Sequence, residues 1–396
     1  MRKGWLVVLA GTGLNLALGV LYAWSVFGKQ LTEAVEKGGF GWTKTQSALP
    51  YTLAIAVFAL MMIPAGRLQD SMGPRRVATA GALLTGLGLF VAGFTTAHDM
   101  APAIIGFGLL GGAGIGLGYA AATPAAVKWF PPHKKGLITG IVVSGFGVAP
   151  VYIAPLSRYL LEAYGIAMSF RIFGVAFALA AGLMCQFITN PETATRQGNK
   201  AKAPETSWRV MVRTPLFITL YLQYFCAATA GLMIIGHLSR IVTSQSGGAI
   251  SVGYLFVAVL SVFNASGRII AGTVSDRIGR TRTLAIVCTL QALTMALFAS
   301  ITSTAGFFIG ASAVGFSYGA CLSLFPSKTA DTWGTANFGR NYGLLFTAWG
   351  LGGVFGPLLA GRIADMTGTY TIAYGVASAM LVVAAALSLV QERWRT

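Results

Sequence analysis

The sequence predicts an all-α membrane protein with twelve transmembrane helices in two pseudo-symmetric six-helix bundles. Three observations carry that reading. Only 10% of the 396 residues are charged while 55% are hydrophobic, and the mean hydropathy is +0.70. A water-soluble globule carries about 25% charged residues, so most of this surface must face lipid. Apolar stretches long enough to cross the roughly 30 Å hydrocarbon layer recur from end to end. A polar motif that follows the second stretch also returns after the eighth.

The twelve stretches are residues 5–28, 44–66, 77–97, 101–127, 136–160, 166–189, 214–239, 250–272, 283–302, 305–327, 341–361 and 369–390. The first follows Arg2 and Lys3, as the apolar core of a signal peptide would. It is too long for a cleaved segment, and further spans follow it. The longest polar break runs from Asn190 to Arg213. It divides the chain into an N-terminal bundle (1–189), a linker loop (190–213) and a C-terminal bundle (214–396).

The charge is lopsided: 28 Lys and Arg against 11 Asp and Glu, a net of +17. In a soluble protein this would suggest nucleic acid. Placed on the predicted spans with the N-terminus inside, twenty of the 28 fall on the inner side and seven on the outer. Only Arg268 falls well inside a span. That bias predicts a multi-pass protein of the cell (plasma or inner) membrane with both termini in the cytoplasm. It accounts for the basic charge without nucleic acid. Cys185, Cys226, Cys288 and Cys321 all fall in spans with neither disulfide nor zinc spacing, and read as packing residues. No metal cluster and no cofactor motif is predicted.

Gly66, Asp70, Gly73 and Arg76 follow the second span; Gly272, Asp276, Gly279 and Arg280 follow the eighth. Glycine, aspartate and glycine are offset by 206 residues in each case, and Gly145 and Pro150 match Gly352 and Pro357 at 207. This internal repeat supports a duplicated six-helix unit. The repeated G-x-x-x-D-x-x-G turn resembles the signature of the major facilitator superfamily, and the resemblance covers the whole chain. Glycine permits the tight turn. The aspartate stands next to the start of the following span, where a carboxylate suits a helix N-terminus and arginines offer it charge-assisted bonds. The resemblance implies two halves rocking about a mid-membrane site, with these turns as an inner-face latch made in one access state and broken in the other. Span 4, with glycines at 106, 108, 111, 112, 114, 116 and 118, lets a neighbouring backbone approach closely.

What is carried turns on the polar groups within the lipid. All eleven acids fall in loops or at span ends. A mid-membrane arginine costs about 2.5–3.5 kcal/mol even on the lenient insertion scale. An anionic substrate would offset that cost, because the planar guanidinium matches a carboxylate bidentately. The alternative is that Arg268 snorkels or bonds backbone carbonyls. Asn264, one turn before Arg268, either contacts the substrate or holds the guanidinium. Tyr119 on span 4 lies at similar depth and could donate its hydroxyl, or simply pack. His237 on span 7, the intramembrane histidine, is a proton-coupling candidate because histidine titrates near neutrality. Tyr22 on span 1 and Phe346 and Trp349 on span 11 are candidate apolar walls.

A narrower resemblance follows from four stretches. Asn264-Ala-Ser-Gly-Arg268 and Trp129-Phe-Pro-Pro-His-Lys-Lys-Gly136-Leu-Ile-Thr-Gly140 resemble elements of monocarboxylate transporters. Tyr22-Ala-Trp-Ser25 and Asn341 to Gly350 resemble the bacterial oxalate/formate antiporter branch. The resemblance implies a secondary transporter of small monocarboxylates, lactate- or pyruvate-like, symported with one proton by a chain that suffices as a monomer. Two departures bear on this. Oxalate carriers bear a lysine where this chain has Trp349, which favours a monoanion. Mammalian lactate carriers place an aspartate where this chain has Asn264, and asparagine does not titrate. The alternative is an organic-anion exchanger of oxalate/formate type. A membrane enzyme would need a nucleophile–base set, metal cluster or phosphate loop that the sequence lacks, and a sensor would need an added soluble domain.

Overall fold

In the computed structural model, residues 2–191, 206–250 and 253–393 are described. They form long helices that follow the predicted spans. The helices are α1 (Arg2–Thr32), α2 (Lys44–Met72), α3 (Pro74–Ala92), α4 (Ala101–Val127), α5 (135–164) and α6 (166–185). They continue as α7 (Pro215–Gln245), α8 (Gly253–Ile278), α9 (Arg280–Phe298), α10 (Thr304–Trp333), α11 (Phe338–Thr367) and α12 (Thr371–Arg393). Of the predicted linker 190–213, residues 192–205, with Arg196, Lys200 and Lys202, lie outside the described residues, as does Arg395.

Eleven helical runs among the described residues are long and apolar enough to cross a membrane. One of them, Pro132–Cys185, is 54 residues long. At 1.5 Å per residue that is about 80 Å, more than twice the hydrocarbon thickness. Gly165 breaks it with φ 70° and ψ 179°, a backbone conformation that glycine reaches without strain. The run is therefore two crossings, α5 and α6, and the total is twelve.

Local sequence explains several boundaries. Thr43 opens α2 with a capping box, its hydroxyl accepting the Gln46 N–H while the Gln46 side chain accepts the Thr43 N–H. Gly73 (φ 85°) and Gly279 (φ 94°) make the turns into α3 and α9. Tyr22 sits on a tighter 3₁₀ stretch, Gly19–Ala23, that interrupts α1. The four cysteines are free and buried.

The chain forms two compact units. The first comprises Met1–Trp129, Val148–Ala203 and Thr335–Gly343; the second comprises Phe130–Gly147, Pro204–Gly334 and Leu344–Thr396. Within the first, α3 packs closely on α4 and α6 through Gly81, Gly86 and Gly88. Within the second, α8 packs on α10 at Gly267, Gly315 and Gly319, each lying against the partner helix backbone. Without a hydrophobic driving force between helices in lipid, such close backbone approach supplies the dispersion contact that holds them.

Candidate functional site

Both aspartate turns cap helices, though not the helices that follow them. In the first unit the Asp70 carboxylate accepts the backbone N–H of Arg340 at 3.2 Å, at the start of α11. Gly66 meets the backbone of Gly339 there, so closely that a Cβ on Gly66 would collide with it. In the second unit Asp276 accepts the N–H groups of Gly136 and Leu137, both at 2.9 Å, at the start of α5. Gly272 meets Gly136 in the same manner. The expectation that each aspartate serves the next helix in sequence is corrected. The free N–H groups of a helix start attract the carboxylate, and the glycine pair brings a helix from elsewhere in the chain close enough to supply them.

The two turns differ in charge. Arg280 pairs with Asp276 at 2.6 Å and with Asp331 at 2.9 Å, and Lys135 reaches Asp331 at 3.0 Å. Two acids and two bases thus form one network. In the first unit the place of Arg280 in the repeat belongs to Pro74. Arg76 is exposed and takes no part in the Asp70 cap. The charges near Asp70 are those of Arg340 and of Lys128, just past the end of α4; burial pushes the Lys128 ammonium below the ordinary lysine value, and Asp70 opposes that shift.

Arg268 is wholly buried on α8, with 0% exposure, and among the described residues it enters no ion pair. Its Nε donates to the side-chain oxygen of Asn264 at 2.9 Å, and its Nη1 donates to the backbone carbonyl of Val143 on α5. Its Nη2 is buried and has no hydrogen-bond acceptor. Asn264 therefore holds the guanidinium, one of the two roles expected for it. Gly319 on α10 gives the amide room, since a Cβ there would stand 2.8 Å from Asn264 Oδ1.

An aromatic strip continues through the same unit. Phe325 stacks on Tyr224 at 4.1 Å, Tyr224 meets Phe346 edge-on at 6.3 Å, and Phe346 stacks on Trp349 at 4.8 Å. The Trp349 indole N–H donates to the hydroxyl of Tyr318 at 2.8 Å. Phe346 and Trp349 are thus brought together, with Tyr318 as a member that sequence reasoning did not single out. His237 on α7 has Nε2 3.0 Å from the Pro357 carbonyl and Nδ1 3.4 Å from the Tyr370 hydroxyl. In the first unit Tyr119 is buried and meets Phe58 edge-on at 5.5 Å, while Tyr22 is half-buried. The side chain of Ser25 lies outside the described residues.

Sequence reasoning also missed Val143 and Gly147. A Cβ on Gly147 would stand 3.1 Å from Arg268 Nε and 3.2 Å from Asn264 Oδ1. Its signal was the Gly145–Pro150 stretch; a backbone carbonyl such as that of Val143 leaves none. No group of three or more His, Cys, Asp or Glu among the described residues could hold a metal ion.

Twelve apolar crossings with a duplicated, aspartate-capped turn define a membrane carrier scaffold. The chain belongs to the Major Facilitator Superfamily, which it matches over residues 5–357 and 251–393, and it is a transporter of that family. It is 30% identical to the oxalate:formate antiporter of Oxalobacter formigenes, over 92% of this chain and 86% of that protein. It is 26% identical to monocarboxylate transporter 13 of Rattus norvegicus, over 96% and 86%. Among solved structures it resembles the proton:xylose symporter XylE, with a TM-score of 0.73 and 16% identity over 97% of this chain and 94% of that one. That last likeness speaks for the fold alone.

Proposed function

We propose that this transporter carries small monocarboxylates of the lactate or pyruvate type, with one proton, by alternating access. The observation that supports this reading most is Arg268: a buried cation with no counter-ion among the described residues and with one nitrogen left without an acceptor. A guanidinium in that condition suits a carboxylate, which supplies both charge and acceptors. Asn264 orients it, Phe346 and Trp349 of the same unit are candidate apolar walls, and His237 is the proton-coupling candidate. The turns at Asp70 and Asp276 act as latches that open and close. One anion with one proton is electroneutral, so transport avoids the roughly 2.3 kcal/mol per charge per 100 mV that the membrane potential would impose. The twenty-to-seven distribution of Lys and Arg supports cytoplasmic termini in a plasma or inner membrane, and one chain suffices.

The experiment is uptake into proteoliposomes, using a panel of labelled acids with pH gradient and voltage set independently. Monocarboxylate uptake driven by a pH gradient is the expected result. Exchange that requires an internal anion and ignores the gradient would instead favour an oxalate:formate-type exchanger, a reading supported by the 30% identical relative.

A further inference from the structure

The first part of α5 lies along α8 as a seam. Gly136 meets Gly272, Gly140 meets the backbone of Arg268, and Gly147 meets the side chains of Arg268 and Asn264. Polar bonds fasten the seam at two heights. Asp276 caps the start of α5, and further along the Val143 carbonyl accepts from Arg268 Nη1. Val143 lies within a helix, where its carbonyl already serves the N–H four residues on, so Arg268 is a second donor to it. A neutral carbonyl leaves the arginine's charge uncompensated, and Nη2 remains buried without an acceptor.

Resting on the carboxylate reading above, we propose that the Val143 carbonyl is a stand-in for the substrate. A carboxylate that meets Nη2 with one oxygen has its second oxygen next to nitrogens already committed to Asn264 and Val143. Its full charge makes it the stronger acceptor, because it adds to the hydrogen bond a charge–charge attraction that a neutral carbonyl lacks. It takes the guanidinium fork and displaces the carbonyl, and α5 is freed from α8 at mid-seam. Occupancy of the site is thereby converted into mobility of residues 135–148. Gly147 is a positioning residue in this exchange: the absence of a Cβ, which would stand 3.2 Å from the guanidinium carbon, leaves the group room to turn from one acceptor to the other.

The test uses the whole protein in lipid nanodiscs. Binding of formate, lactate, pyruvate and oxalate is measured by calorimetry, and backbone hydrogen exchange over residues 135–148 is followed in the same samples, with neutral lactamide as control. The expected result is that the acid that binds raises exchange over 135–148 at least about threefold, while lactamide does not and residues 283–298 do not change. Arg268→Lys, which keeps the charge but lacks the fork, should raise the ligand-free exchange of 135–148. Should that variant fail to fold, Gly147→Ala disturbs the same bonds with Arg268 in place, and should raise ligand-free exchange while weakening binding about tenfold. An acid that binds without changing exchange over 135–148 overturns the proposal and leaves the carboxylate reading standing. Absence of binding by every acid overturns both.

Discussion

The side-chain oxygen of Asn264 accepts the Nε–H of Arg268 at 2.9 Å, from a position one turn earlier on α8. Because the acceptor is a neutral amide, the bond orients the guanidinium without cancelling its charge. Asn264→Asp should therefore weaken carboxylate binding at pH 7 by about tenfold or more, since a carboxylate at close range competes as an internal counter-ion. Binding should recover as the pH falls and the new aspartate is protonated. Calorimetry at two pH values checks this; pH-independent binding in the variant would refute it.

Arg268→Ala should abolish uptake, by at least about 100-fold, while leaving the fold intact. Removing a buried charge that has no counter-ion relieves a cost of about 2.5–3.5 kcal/mol, which offsets the lost bonds to Asn264 and Val143, so the thermal midpoint in detergent should change little. Loss of activity together with a large fall in that midpoint would point to a structural role instead.

At the Asp276 turn, Gly136→Val would drive a side chain into the Gly272 carbonyl and, at 2.8 Å, into the Asp276 carboxylate. Overpacking of this kind costs about 1–3 kcal/mol, and the lost cap adds about 1 kcal/mol. A lower thermal midpoint and uptake reduced more than about tenfold are expected, and wild-type values for both would exclude a tight seam.

Lys128 gives a pH signature. Its ammonium is held below the ordinary lysine value, so the unfolded chain binds this proton more tightly than the folded one. Stability should accordingly rise as the pH climbs from the lowered value toward about 10.4. Lys128→Met should remove that contribution to the slope, read as thermal midpoint against pH between neutrality and about pH 10.

Trp349 lies buried against Phe346 on α11. If position 349 faces the substrate as proposed, Trp349→Lys adds a second cation there and should move preference toward dicarboxylates. Competition between labelled lactate and unlabelled oxalate measures this, and an unchanged ratio would detach position 349 from selectivity.

Much of the fold was legible because lipid imposes simple rules: span length and the duplicated turn are written in residue type. Gly165, whose turn divides one continuous helical run into α5 and α6, fell at a predicted boundary for the same reason. Arg268 stood out because a cation amid apolar residues must find acceptors, and the alternative of a backbone carbonyl is met in part by Val143. Its acceptor on α5 was not legible, because the Val143 carbonyl is a backbone group that any residue would carry. The targets of Asp70 and Asp276 were misread for a related reason. Proximity along the chain suggested the next helix, whereas the glycine pairs Gly66–Gly339 and Gly136–Gly272 bring distant helix starts closer.

Met62 precedes Arg268 by 206 residues, the offset of the repeat. Gly343 lies against the Met62 carbonyl and the Cα of Ile63, just as Gly140 lies against the Arg268 carbonyl and the Cα of Ile269. The same backbone joint thus closes over a thioether in one copy and over a guanidinium in the other, so its geometry does not depend on what the side chain is. Of the two copies of the joint, one carries the apolar Met62 and the other the cationic Arg268. The side chain at this position can therefore change in character while the backbone contact beneath it stays the same.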